Sequence, residues 1–256
     1  MFRGAQAQAD LHGIELSYAA AANDDARQLV AIQKFVDQAA KVLIINPTNA
    51  QAVVPGIEIA NHARIPVITV DRKADSGAVV THITSDNLTG GRLAGEYLAR
   101  RLEQGGVIAE FEGIPGTSVS YERGKGFNDA LGKQAKLRVT RREVANFNRA
   151  EARTAMTDLL ADGQRFDALF AHNDNMILGV LEALQNVPPA QRPILIGFDG
   201  IPEVLRAVRE GSIAATVVQK PERMGALAVD AALKILRGEP VTPTILVELD
   251  LAESTR

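Results

Sequence analysis

The chain alternates between short runs that are apolar at every position and longer segments with helical spacing. VLII at 42–45, VITV at 67–70 and ALFA at 168–171 are runs of the first kind, and a helical segment follows each. A strand that is apolar on both faces must be covered on both faces, and connecting helices cover parallel strands in this way. The pattern therefore predicts an α/β fold built from doubly wound parallel sheets.

Apolar spacing and turn signals predict ten strands and nine helices. The strands are predicted at 14–19, 42–45, 66–70, 79–84, 107–111, 137–144, 168–171, 194–197, 214–218 and 244–250. The helices are predicted at 2–12, 24–39, 50–63, 88–103, 118–133, 149–162, 174–186, 201–210 and 221–237.

The length and an internal repeat predict two lobes that share the chain. The 256 residues exceed what one compact core usually organises. We expect a first lobe of 1–85 plus 220–248 and a second lobe of 86–219 plus 249–256. The stretch 107–197 begins with a strand, whereas the otherwise similar stretch 2–70 begins with a helix. The first lobe is therefore expected to lack its opening strand, an interior strand in such a sheet, and the gap invites self-association.

Composition excludes several classes of protein. Lys plus Arg number 28 and Asp plus Glu 31, so the net charge of −3 leaves no basic footprint for nucleic acid. The absence of cysteine excludes disulfides, thiol nucleophiles and thiolate zinc sites. No apolar run approaches the length of a membrane helix, and the first residues do not form a signal peptide.

Catalytic motifs are missing from the sequence. The histidines at 12, 62, 82 and 172 show no metal-ligand spacing, and no G-x-S-x-G occurs. EGIPGTS at 112–118 lacks the Gly-Lys-Ser/Thr ending of a phosphate loop and is better explained as a helix start. We therefore predict a protein that is not an enzyme and that needs no cofactor and no metal.

Polar and aromatic residues follow the predicted strands, at the sheet edge where open α/β sheets bind ligands. These candidates are Asn46, Asp71, Arg72, Arg123, Phe147, Asn173, Phe198, Asp199 and Gln219. Carboxylates accept hydrogen bonds, guanidinium groups donate them, and amides do both. Such a mixture suits a ligand with many hydroxyl groups, while aromatic rings suit the C–H face of a sugar.

Each candidate also has a simpler explanation when it is taken alone. Asp71 and Arg72 could be a surface pair, and Gly197–Gly200 could be only a turn. We expect Asp174 to cap the helix that begins there. The binding interpretation depends on all these residues falling at the same edge of the predicted sheets.

Four longer segments are distinctive as a set: VLIINPTNAQAV, EGIPGTSVSYERGKGF, FAHNDNMILGVLEAL and IGFDGIPEVLRAVREGSIAATVVQKP. They closely resemble the ribose-binding proteins, the type I periplasmic binding component of sugar ABC importers, and the resemblance covers nearly the whole chain. It implies two doubly wound lobes that are joined by three hinge crossings and close on the sugar. It also implies sugar-binding roles for the nine candidates, a membrane permease as partner, and a periplasmic location.

The sequence departs from this family at its start, where MFRGAQAQADLHGIELSYA begins inside the helix that should follow the first strand. The family's first strand and loop carry an Asn and two Phe that contact the sugar. We therefore expect ribose to bind much more weakly than to a full-length relative, or not at all. The identity of the sugar stays open, since allose and other pentoses or hexoses need only small changes.

Two other functions stay open at this point. The effector-sensing domain of a lac-repressor-type transcription regulator has the same two-lobed fold, although it would need a helix-turn-helix segment. A small-molecule enzyme on the same architecture would turn its ligand over.

Overall fold

A computed structural model describes residues 1–255 and divides the chain into two compact units. The first unit comprises Met1–Ser85 and Lys220–Glu248, and the second comprises Asp86–Gln219 and the stretch from Leu249 onward. Helices and strands are numbered below along the whole chain.

The first unit contains a four-stranded parallel sheet. Its strands are β1 (Leu43–Ile45), β2 (Val67–Val70), β3 (Thr81–Ser85) and β9 (Thr244–Val247), in the order β1-β2-β3-β9. Its helices are α1 (Phe2–Leu11), α2 (Asp25–Asp37), α3 (Val54–His62) and α9 (Pro221–Leu236). Parallel strands require such helical connections, as the alternating pattern predicts.

Both faces of this sheet are covered by apolar side chains. Leu43 and Val67 pack with Ile57 of α3 on one face. Ile68 and Ile83 pack with residues of α9 on the other face. The continuous apolar runs are explained by this double burial.

The predicted strand at 14–19 is wrong, because residues 14–20 have no regular secondary structure. Ile14 and Leu16 pack against Ala5, Ala9 and Val229. Within the described sheet, β1 pairs with β2 alone, so no neighbouring strand offers hydrogen bonds to the 14–19 segment. A strand needs such a neighbour to satisfy its backbone groups. β1 is therefore an edge strand of the first sheet, and its outer edge is the side that faces away from β2.

The second unit contains a six-stranded sheet in the order β10-β8-β7-β6-β4-β5. Its strands are β4 (Gly106–Glu112), β5 (Leu137–Val144), β6 (Ala168–Ala171), β7 (Ile194–Asp199), β8 (Ala215–Val218) and β10 (Asp250–Glu253). Its α-helices are α4 (Asn87–Arg101), α5 (Ser118–Leu131), α6 (Arg149–Ala161), α7 (Asp174–Ala183) and α8 (Pro202–Glu210). A short 3-10 helix covers Pro189–Gln191.

Alternate residues of the second sheet point into two separate cores. Leu169 and Ala171 of β6 pack with α6 and α7, whereas Ala168 and Phe170 pack on the opposite side with α4 and α5. The fold is therefore α/β with parallel sheets covered on both faces, which confirms the predicted class.

The single strand predicted at 244–250 is wrong, because the segment forms two strands in different sheets. β9 extends the first sheet in parallel, while β10 pairs antiparallel with β8 in the second. The chain passes from one unit to the other between Glu248 and Leu249. Neither partner strand is a sequence neighbour, so the local apolar pattern does not show the change of sheet.

Candidate binding site

In the first unit, three candidate residues follow adjacent parallel strands. Asn46 comes directly after β1, and Asp71 and Arg72 come directly after β2. Asn46 is exposed, while Asp71 and Arg72 are half-buried. Because β1 and β2 run in the same direction, the structure places the three residues at the carboxyl ends of these strands.

A buried glutamine of α2 fixes the loop after β1. Gln28 donates from Nε2 to the carbonyl of Asn46 (2.8 Å) and accepts from the backbone N–H of Thr48 (3.0 Å). Arg72 donates from Nη1 to the carbonyl of Thr48 (3.1 Å). The loop therefore connects Asn46 with Arg72. The sequence analysis missed Gln28, although it shares the inner face of α2 with Ile32, where a polar residue calls for a partner.

Asp71 adopts the left-handed backbone conformation, with φ of 66°. The Asp71 N–H donates to the carbonyl of Ile83 (2.8 Å), and the Asp71 carbonyl accepts from the hydroxyl of Thr84 (2.9 Å). Aspartate tolerates this region better than most residues. The strand end is thus held in one conformation by β3.

In the second unit, Arg123 is a buried guanidinium in the first half of α5, with only 4% of its surface exposed. It donates from Nε to Oδ1 of Asn87 (2.9 Å) and from Nη1 to the carbonyl of His172 (2.6 Å). Nη1 also lies 3.5 Å from Oδ1 of Asp199. A charge buried this deeply needs such partners. Arg123 is therefore a buried, hydrogen-bonded side chain and not a solvated helix residue.

Two phenylalanine rings flank Arg123. Phe198 is fully buried, and the Arg123 Cζ lies 3.8 Å from its ring centroid. Phe147 is half-buried, with its centroid 5.9 Å from the same carbon. A Cβ at Gly113 would lie 2.0 Å from the Phe147 ring, so glycine is required there for the ring to pack. Phe198 packs against the Arg123 guanidinium inside the core, whereas Phe147 is the partly exposed residue of the two.

The remaining candidates lie beside these groups. Gln219 donates from Nε2 to Oδ1 of Asp199 (2.6 Å). Asn173 caps α7 by accepting from the N–H of Met176 (2.9 Å), and its Nδ2 is 3.5 Å from the carbonyl of Phe147. That distance is at the limit of a hydrogen bond, so the amide group keeps donor capacity. The structure therefore joins the six second-unit candidates into one connected group.

The prediction that Asp174 caps α7 is wrong, since Asn173 occupies that position. Asp174 is fully buried and accepts hydrogen bonds from the N–H groups of Gly200 and Ile201 (both 2.8 Å) and from the Thr216 hydroxyl (2.7 Å). Burial, together with the negative charge of Asp199, raises the pKa of Asp174 to about 7.

A second buried network supports Arg123 from the side of His172. Glu110 is fully buried and lies 3.0 Å from Nε2 of His172, and it also accepts from Asn128 (2.9 Å) and Arg142 (3.0 Å). Burial alone would raise the pKa of Glu110. The hydrogen bonds from His172 and Asn128 and the charge of Arg142 outweigh burial and lower that pKa. Sequence spacing gave no sign of this network, because its members lie on β4, α5, β5 and the loop after β6.

Residues 1–255 contain no cluster of three or more His, Cys, Asp or Glu side chains arranged to hold a metal ion. Among the same residues, no helix is both long and apolar enough to span a membrane.

The chain is similar in sequence to known binding proteins. The family model described as a periplasmic binding protein domain matches residues 1–240. The chain is 42% identical to the ribose import binding protein of Salmonella typhimurium over 248 residues, covering 97% of this chain and 83% of that protein. It is 41% identical to the ribose import binding protein of Escherichia coli, with the same coverage.

A solved structure has the same fold. The periplasmic binding protein component of the arabinose ABC transporter from Shewanella, bound to L-arabinofuranose, superposes with a TM-score of 0.91 at 28% identity. The match covers 99% of this chain and 86% of that one. The family consists of transport proteins and not of enzymes, and its location is the periplasm, as the sequence analysis expects. The chain belongs to the periplasmic binding protein family, with the type I fold.

Proposed function

We propose that this chain captures a monosaccharide, D-ribose in the first place, and delivers it to the membrane permease of an ABC importer. The observation that carries the proposal is the buried guanidinium of Arg123, fixed among Asn87, the His172 carbonyl, Asp199 and Phe198. A cation held so rigidly can donate to a small neutral ligand with little further loss of entropy.

Each second-unit candidate has a defined role in this proposal. Arg123 and Asn173 donate to sugar oxygens, Asp199 accepts from sugar hydroxyls, and Gln219 orients the Asp199 carboxylate. Phe147 packs its ring against sugar C–H groups, and Phe198 stacks on the Arg123 guanidinium that donates to the sugar. Hydrogen bonds to charged groups contribute about 1.5–3 kcal/mol each, so a few can offset the desolvation of a small sugar.

The three first-unit candidates are proposed as additional sugar ligands. Asp71 accepts from a hydroxyl, Arg72 donates to one, and Asn46 can do both. The Gln28 and Thr48 contacts support this assignment because they restrict the positions of Asn46 and Arg72.

Ribose is preferred over other sugars because relatives with about 40% identity are named ribose import binding proteins. The same names favour transport over the effector domain of a lac-repressor-type regulator. Allose, arabinose and other small sugars are the alternatives that a ligand screen must include.

We also propose that two copies of the chain associate through the outer edge of β1. This edge carries only Leu and Ile, whereas the edge strand β5 of the second sheet carries Arg138, Arg141 and Arg142. Charged residues on an edge strand prevent pairing with another chain, and β1 has none. A second β1 offers the matching row of backbone groups.

A thermal-shift screen across monosaccharides tests the proposed capture. Binding to the native state raises the melting temperature by mass action, so weakly bound ribose is expected to give a rise at high sugar concentration that grows with that concentration. Arg72→Ala should abolish the rise. Lys41→Ala, an exposed charge near the opposite end of the same sheet, should leave it unchanged. A shift that survives in Arg72→Ala would refute the role of Arg72.

A further inference from the structure

Asp199, the acceptor in the proposed sugar site, has a strained backbone. Its φ is 131°, a region that non-glycine residues rarely adopt, and Gly200 follows with φ of 79°. Such a conformation is energetically unfavourable and persists only where surrounding contacts impose it. The structure therefore needs a group that holds the end of β7.

Asp174 is that group. Its Oδ2 accepts from the N–H groups of Gly200 and Ile201, the two residues that follow Asp199. Its Oδ1 accepts from the hydroxyl of Thr216 on β8. One fully buried carboxylate thus connects the start of α7 with the end of β7 and with β8.

Gly197 makes room for this carboxylate. A Cβ at position 197 would lie 2.3 Å from Oδ1 of Asp174 and 2.9 Å from Ile177. A Cβ at Gly200 would likewise lie 2.7 Å from the side chain of Val218. Gly197–Gly200 is therefore more than a simple turn, because its two glycines permit the contacts that constrain Asp199.

We propose that Asp174 is a positioning residue, which does not touch the sugar but fixes the backbone of Asp199 so that its carboxylate faces the ligand. This inference rests on the proposed sugar-binding function. The oriented carboxylate is the one that accepts from Gln219 and lies beside Arg123.

Three variants separate positioning from general stability. Asp174→Ala removes all three hydrogen bonds. Asp174→Asn keeps the geometry, because its carbonyl oxygen can accept from both N–H groups while its amide donates to Thr216. Asp167→Ala is the matched control, since the Asp167 carboxylate accepts from the N–H of Val107 (2.7 Å) at the other end of the sheet.

The first measurement is amide hydrogen exchange of Gly200 and Ile201 in the ligand-free protein, followed by NMR. Asp174→Ala is expected to speed exchange at both amides by about tenfold or more, because each loses a hydrogen bond to a charged acceptor. Asp174→Asn should restore most of the protection, and Asp167→Ala should leave it unchanged. Unchanged exchange in Asp174→Ala would overturn the proposal.

The second measurement is ribose affinity by isothermal titration calorimetry for the same proteins. Asp174→Ala should weaken binding by about tenfold or more, with recovery in Asp174→Asn. Equal loss in Asp174→Ala and Asp174→Asn would contradict positioning. Absence of ribose binding in the wild-type protein would refute the proposed function, while the exchange measurement would still decide the role of Asp174.

Thr216→Val provides the test if Asp174→Ala does not fold. It removes only the hydrogen bond that orients Oδ1 and leaves a side chain of similar shape. We expect faster exchange at Gly200 and Ile201, by a smaller factor than in Asp174→Ala. Exchange identical to the wild-type protein would count against the proposal.

Discussion

The Arg123 guanidinium lies flat enough against Phe198 for its Cζ to approach the ring centroid to 3.8 Å. The Phe198 side chain is buried in the second-unit core. The Arg123 N–H groups donate hydrogen bonds to Asn87 and to the carbonyl of His172. A planar cation can satisfy the ring and both acceptors at once, and a lysine ammonium cannot.

Arg123→Lys is therefore expected to weaken sugar binding strongly although the charge is kept. Phe198→Leu should weaken it to a smaller degree by removing the surface under the guanidinium, a contact of about 0.5–2 kcal/mol. Calorimetric titration with ribose measures both effects. Arg138→Lys, on the exposed edge strand β5, is the control. Wild-type affinity in Arg123→Lys would contradict the assigned role.

The buried Glu110–His172 pair predicts a loss of stability when one partner is removed. Glu110→Ala leaves Nε2 of the buried His172 without its partner, and breaking a buried pair in this way typically costs about 3–5 kcal/mol. Urea unfolding followed by circular dichroism checks the free energy of unfolding. Glu143→Ala, on a partly exposed carboxylate of β5, is the comparison. Equal stability of the two variants would show that the network is unimportant.

The lowered pKa of His82 predicts that the first unit loses stability in acid. Burial, and then the nearby charge of Lys73, lower the pKa of His82 from 6.5 to about 4. A folded-state pKa below the unfolded value means that stability is fully present above pH 6.5 and is lost as the pH falls toward 4. The loss is about 3 kcal/mol. His82→Gln should flatten this part of the stability–pH curve, measured by urea unfolding from pH 4 to 7. An unchanged slope would contradict the prediction.

The raised pKa of Asp174 predicts that the stability of the second unit falls as the pH rises. Its folded-state pKa of about 7 lies above its unfolded value of 3.8, so its contribution is fully present below pH 3.8 and is lost as the pH rises through 7. Asp174→Asn should remove the decline in stability between about pH 4 and pH 7, as followed by thermal unfolding. Retention of that decline in the variant would assign it to another group.

The open edge of β1 predicts self-association that depends on concentration. Ile44→Lys places a charge on the half-buried middle residue of β1 and should shift the protein toward monomer. Val139→Lys on β5, an edge that is already charged, should have no effect on the oligomeric state. Static light scattering over a range of concentrations measures the mass, with circular dichroism to verify folding. A wild-type protein that stays monomeric throughout would refute the proposed pairing.

Local patterns predicted most elements of the fold but could not predict where strands find their partners. The 14–19 segment has the composition of a strand, yet the sheet offers it no neighbour, and this depends on residues far along the chain. Likewise, the division of 244–250 into β9 and β10 follows from pairing with β3 and β8, which are distant in sequence.

The candidate site shows the same limit. Strand ends could be located from the sequence, so Asp199 and Arg123 could be named as candidates. The position of Asp174 could not, because Asn173 and Asp174 are both good capping residues and the choice depends on the phase of the first helical turn. The burial of Arg123 depends on Phe198, which lies on a different element.

The most direct test of sugar capture is calorimetric titration of the wild-type chain with D-ribose, with L-ribose as the matched control, up to high sugar concentration. The account predicts saturable binding of D-ribose and none of its mirror image, because fixed donors and acceptors distinguish the two. Equal heats for both enantiomers, or no saturable heat with D-ribose, would contradict it.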